Sequence, residues 1–140
     1  MQRITNLGRW LFVLGMCIYV VLHFAQPDTG ARFVPAWLPF PYFLNYATGV
    51  ALVAFVLSAL LGKFDRLAGL LLALYILLMA ALVHVPHALQ GTDPTEVVNI
   101  FRNFIAAGGA LMFAGAYARD RRLPFGQPKG HHPAAAVRAK

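Results

Sequence analysis

A single cysteine in 140 residues leaves no partner for an intrachain disulfide. Cys17 stands inside an apolar run and reads as a small buried hydrophobe. A thiol–disulfide relay run by this chain alone is excluded, because that chemistry needs a cysteine pair. Acidic residues are also few, five against twelve basic ones, for a formal charge of +7. The chain shows no paired carboxylates for hydrolysis, no glycine-rich phosphate loop and no Ser-His-Asp pattern. Charge of either sign amounts to 12%, too little to cover the surface of a soluble domain of this size. No basic stripe interleaves with aromatics on a soluble surface, so nucleic-acid binding is excluded as well.

Long apolar runs take up the chain instead. Four of them, about residues 7–26, 42–62, 67–89 and 97–118, are each close to the ~20 residues that cross a hydrocarbon core about 30 Å thick. The predicted fold is therefore all-α: a membrane four-helix bundle over residues 1–118, followed by a basic tail, 119–140, expected to be disordered. The first run resembles a signal peptide but lacks a small-x-small cleavage site and reads as a retained helix. Arg9 is expected to snorkel to the headgroups, with Trp10 at the interface. Between the first two runs, Pro27, Pro35, Pro39 and Pro41 with Gly30 argue against regular helix, and the aromatics among them suggest a lid along the membrane surface. The short turn Lys63-Phe64-Asp65-Arg66 makes the second and third helices antiparallel neighbours. Thr92 or Asp93 should cap the fourth helix ahead of Pro94.

Ten of the twelve basic residues fall on the side shared by the termini and the 63–66 turn; only Arg32 and Arg102 fall on the other. The positive-inside rule then makes both termini cytoplasmic and the protein a multi-pass inner-membrane protein. Ala106, Ala110, Ala114 and Ala118 recur every four residues and should let a neighbouring helix approach closely, with Arg102 on the same face pointing into the bundle. His131 and His132 read as part of a solvated tail.

This topology gathers the polar residues at one depth. His23 ends the first helix, Asn45 and Thr48 begin the second, His84 and His87 flank Pro86 at the end of the third, and Asn99, Arg102 and Asn103 begin the fourth. All lie in the outer half, beneath the proline-rich loop, while the inner half is expected to be almost purely apolar. Ionisable groups are costly in lipid and mark bundle-facing or wet positions. Three uses remain open. A cation, imidazoles and amides at low dielectric suit a quinone carbonyl or a small oxyanion. His23 opposite His84 suits a haem. His23, His84 and His87 suit a metal, which a nearby Arg102 would oppose.

The sequence His23-Phe24, the loop Val34-Pro35-Ala36-Trp37-Leu38-Pro39 and Thr48-Gly49 together resemble the DoxX and DoxX-like family of small four-helix prokaryotic membrane proteins, over about residues 7–118. The resemblance implies a link to membrane oxidoreductase assemblies, including thiosulfate:quinone oxidoreduction, and a site that includes His23 and the entrance of the second helix. Many relatives carry an acidic residue just after Thr-Gly, whereas Val50-Ala51-Leu52 stand here.

The resulting expectation is a membrane subunit of an oxidoreductase system with an outward-facing pocket for quinone or a small sulfur oxyanion. Its ligand-binding residues would be His84 and Arg102, surrounded by His23, His87, Asn99, Asn103 and Asn45. Quinone ranks ahead of haem as the cofactor. The partners left open are redox-enzyme subunits and a second copy of the chain in the bilayer; the competing reading is a non-catalytic structural or partner-binding subunit.

Overall fold

The computed structural model describes residues 2–91 and 93–120, and all regular structure among them is helical. Five helices follow in order: α1 (Gln2–Ala25), α2 (Pro27–Arg32), α3 (Pro41–Leu61), α4 (Asp65–Leu89) and α5 (Thr95–Tyr117). All but the short α2 are long and apolar enough to cross a membrane, which makes the chain an all-α four-helix bundle with the pattern of a multi-pass membrane protein. Each long helix starts or ends within a few residues of its expected limits, except that α1 begins earlier, at Gln2. The expectation of a non-helical 27–41 segment is corrected at its start. Pro27 occupies the first turn of α2, where its missing N–H costs nothing, and the helix runs to Arg32 before the chain turns. Pro41 opens α3 in the same way.

α1 packs on α3, α3 on α4, and α4 on α5. The core is centred on three rings: Phe55 lies 5.9 Å from Phe12 and 5.4 Å from Phe113, and Phe12 lies 6.2 Å from Phe113. Edge-on aromatic contacts of this kind add to the dispersion that holds helices together in lipid. The alanine stripe behaves as expected for most of its length: Ala110, Ala114 and Ala118 are buried, and Ala114 lies against Gly69 of α4.

Two helices widen locally into single π-turns, Ala80–His84 in α4 and Phe113–Tyr117 in α5. The first sits just before Pro86, which has no N–H for the Leu82 carbonyl and whose ring would crowd it. The expected bend is thus a widened turn ending on His84.

The bundle end that carries the 62–64 turn is not purely apolar, contrary to expectation. Asp65 is 0% exposed, and its carboxylate accepts the backbone N–H groups of Arg119 (2.8 Å) and Asp120 (2.9 Å). Asp120 in turn accepts the N–H of Phe64 at 3.1 Å. Arg9 does not snorkel: it is buried, donates to the carbonyl of Ala59 and lies over the rings of Trp10 and Phe113. The physical reason is that the last turn of α3 leaves its carbonyls unpaired. Gly62 and Lys63 both donate to Ser58, so Ala59 needs another donor, and a cation suits a helix C-terminus. Arg119 and Asp120, expected to start a disordered tail, are held by Asp65; the rest of that tail lies outside the described residues. At the opposite end Asp93 accepts the Thr95 N–H at 2.8 Å, and these bonds hold its carboxyl below the usual range. The cap position is Pro94, without a side-chain cap bond, so Asp93 meets the first turn from one residue ahead of the cap rather than as the cap expected; Thr92, the other residue expected there, lies outside the described residues.

Replacing Asp65 strands two backbone donors at once. Asp65→Ala is expected to cost about 1–3 kcal/mol, read as a lower thermal midpoint in detergent, with Asp65→Asn intermediate. A midpoint unchanged in Asp65→Ala would show that these bonds carry no stability.

Candidate ligand-binding chamber

At the loop end of the bundle, all four long helices and the 26–38 segment enclose a cavity of about 910 Å³. Its polar wall is built by His23 from α1, Asn45 and Thr48 from α3, Tyr75 and His84 from α4, and Asn99, Arg102 and Asn103 from α5. The structure therefore brings six of the seven expected ligand-binding residues to one cavity. His87, the seventh, does not line it: three residues past His84, it lies half-buried beyond the π-turn. Leu52, Phe55, Leu72, Ile76 and Met79 form an apolar floor. Ala51 and Ala54 of α3 and Leu71 of α4 line the cavity and are also exposed, so it opens on the apolar flank between these helices.

The position of His23 follows from a proline. The His23 carbonyl would ordinarily receive the N–H of residue 27, but Pro27 has none. Asn45, 2% exposed, supplies the missing donor: its Nδ2 gives a hydrogen bond to the His23 carbonyl at 2.9 Å. That bond fixes the orientation of the amide, leaving Asn45 Oδ1 at 2.6 Å from His23 Nδ1. An amide oxygen only accepts, so the His23 ring hydrogen sits on Nδ1 and Nε2 is left bare. Two glycines permit this approach. A Cβ on Gly30 would fall 1.9 Å from Asn45 Oδ1, and one on Gly49 would meet the Phe24 ring at 2.9 Å and His23 Cβ at 3.1 Å.

His84 is held similarly from the other side. Its Nδ1 lies 2.6 Å from Oε2 of Glu96, with side-chain exposures of 12% and 10%. An isolated carboxylate at this depth would be strongly penalised, and the imidazole supplies its partner. Phe33, from the turn after α2, has its ring centre 6.1 Å from that of His84 and closes the chamber on that side. Glu96 was the residue missing from the expected set. A glutamate in the first turn of a helix is common for its favourable place at the helix N-terminus, so its sequence position alone does not mark it as the partner of His84. Tyr75 was also missed, because an aromatic within an apolar run reads as core; its hydroxyl pairs with Thr48.

Arg102 lines the chamber but is itself exposed, a correction to the expectation that it faces wholly inward. It donates a long 3.4 Å hydrogen bond to Asn99 and reaches no carboxylate among the described residues. Asp28 is bound instead by the Tyr42 hydroxyl at 2.9 Å. The three-histidine metal alternative is corrected too. His23 and His84 each have one nitrogen engaged and His87 lies outside, and no cluster of three metal-ligating side chains occurs among the described residues.

No protein-family model, curated protein or solved structure matches the chain. The chamber must be read from its own chemistry: bare imidazole nitrogens, a rim cation and amides on one side, and an apolar slot on the other.

Gly30→Ala should displace the Asn45 amide, leave His23 without its acceptor and lower stability by about 1–3 kcal/mol. In an Asn45→Ala background, where the clash is gone, the same change should cost far less. A double-mutant thermal-unfolding cycle checks this; additive effects would refute the coupling.

Proposed function

We propose that the chain is a DoxX-like membrane subunit of an oxidoreductase system and that its chamber receives the headgroup of a quinone. The observation that carries this reading is the amphipathic character of a single cavity. Polar groups from all four long helices line one wall, and an apolar slot opens between α3 and α4. Binding sites for small organic molecules combine a mostly apolar lining with a few placed polar groups, in volumes of about 300–1,000 Å³. A quinone ring with a hydrocarbon tail fills both parts. A small sulfur oxyanion would use Arg102 and the amides but leave the apolar part empty, so the cavity favours quinone of the two. The apolar flank also gives a membrane-dissolved ligand a route that avoids water. With ten of twelve basic residues on the side of the termini, that side is cytoplasmic and the chamber faces outward.

Quinone carbonyls would accept from Arg102 and from the amides of Asn99 and Asn103, whose donor strength rises in low dielectric. His23 and His84 would flank the ring. A decyl-substituted benzoquinone added at about 100 times its Kd to detergent-purified protein should stabilise it by about 2.7 kcal/mol. Arg102→Ala should abolish that stabilisation while leaving membrane insertion intact. Undiminished stabilisation in Arg102→Ala would remove Arg102 from the site, and no stabilisation of the wild type would defeat the quinone reading.

One observation favours a second reading. Both His23 and His84 have Nδ1 engaged and Nε2 available in the same cavity, the arrangement used by histidines that ligate haem. The absorption spectrum of protein gently extracted from its membrane separates the two. A Soret band lost in both His23→Ala and His84→Ala would replace quinone with haem, whereas a colourless protein that binds the benzoquinone would exclude haem.

A further inference from the structure

The pairing of His84 with Glu96 has a consequence for which form of a redox ligand the chamber holds. We propose that Glu96, acting through His84, makes the site selective for a hydroquinone over the corresponding quinone. The inference rests on the quinone reading and adds to it the oxidation state of the ligand.

The argument is one of donors and acceptors. A carboxylate has no hydrogen to give, so in the 2.6 Å contact with Glu96 Oε2 the hydrogen belongs to His84 Nδ1. Nε2 of the neutral ring is then a bare acceptor, with no hydrogen bond to any described residue. His23 is in the same state, because Asn45 Oδ1 takes its Nδ1 hydrogen. The chamber thus presents two bare ring nitrogens. A hydroquinone brings two O–H donors to meet them. A quinone brings only carbonyl oxygens, and its lone pairs would face those of the imidazoles. Arg102 does not discriminate, since the oxygens of either form accept its hydrogen bonds.

Glu96 is what distinguishes the two rings' partners: His84 gives its Nδ1 hydrogen to a carboxylate and His23 gives its own to an amide oxygen. On its own helix His84 is followed by His87, which stands outside the chamber.

The test measures the Kd of decyl-benzoquinone and of its hydroquinone, under anaerobic conditions, for the full chain in lipid nanodiscs at pH 8.5. The expected result is about a tenfold preference for the hydroquinone, the worth of one net hydrogen bond. Glu96→Gln, which can offer His84 either a donor or an acceptor, should reduce that preference. His87→Ala should leave it as in the wild type. If Glu96→Gln does not fold, the wild-type preference decides alone. Equal affinity for the two forms in the wild type would overturn the inference and leave the quinone reading standing. Failure of both forms to bind would overturn the inference and the quinone reading together.

Discussion

Inside a bundle of apolar helices a polar group has no water to fall back on, and this constraint shapes most of what is specific in the structure. The cost of an unpaired charge or amide in such surroundings is several kcal/mol in transfer measurements. Among the described residues, each buried polar side chain has at least one hydrogen-bond partner, with Arg9 Nε the atom left over. Asp65 accepts two backbone donors from the residues after α5, Arg9 feeds the open Ala59 carbonyl of α3, Asn45 serves the carbonyl that Pro27 cannot, and Glu96 meets His84. Each of these contacts joins different elements, so the polar residues act as fasteners between helices whose apolar faces alone would pack with little preference.

The same constraint divides the bundle into two ends of different character. Where the 62–64 turn and the end of α5 meet, Asp65 and Arg9 bond mainly to backbone groups, and Arg9 Nε is left without a hydrogen bond. At the loop end the partners are side chains that each leave one group unspent: Nε2 on His23, Nε2 on His84 and most of the guanidinium of Arg102. Helix geometry places them there. The π-turn ahead of Pro86 sets the direction of His84, and the Phe12–Phe55–Phe113 node holds α1, α3 and α5 together below the chamber. A ligand site is, in this sense, the place where the satisfaction of polar groups is incomplete.

The residues after Thr48-Gly49 are apolar, Val50-Ala51-Leu52, and the carboxylate paired with His84 comes from α5. Glu96, in the first turn of α5, stands behind the imidazole of His84 and does not itself line the chamber. A carboxylate placed this way sets the hydrogen-bonding character of its histidine without lining the cavity.

Some features needed only the order of residues. Hydrophobic run lengths determined the four spans, because a hydrocarbon core admits few alternatives to a helix of about 20 residues. Antiparallel connectivity followed from the short 63–66 turn, and the common depth of His23, Asn45, His84, Asn99, Arg102 and Asn103 followed from helical rise once the spans were known. Depth is a one-dimensional quantity, and a linear sequence can fix it. Azimuth is not: whether Arg9 turns inward, whether His87 faces the chamber with His84, and whether Glu96 or solvent answers an imidazole depend on helix rotation and on a π-turn that shifts the register by one residue. Those outcomes were decided by tertiary packing, because only the assembled helices bring a donor within hydrogen-bond distance of an acceptor tens of residues away.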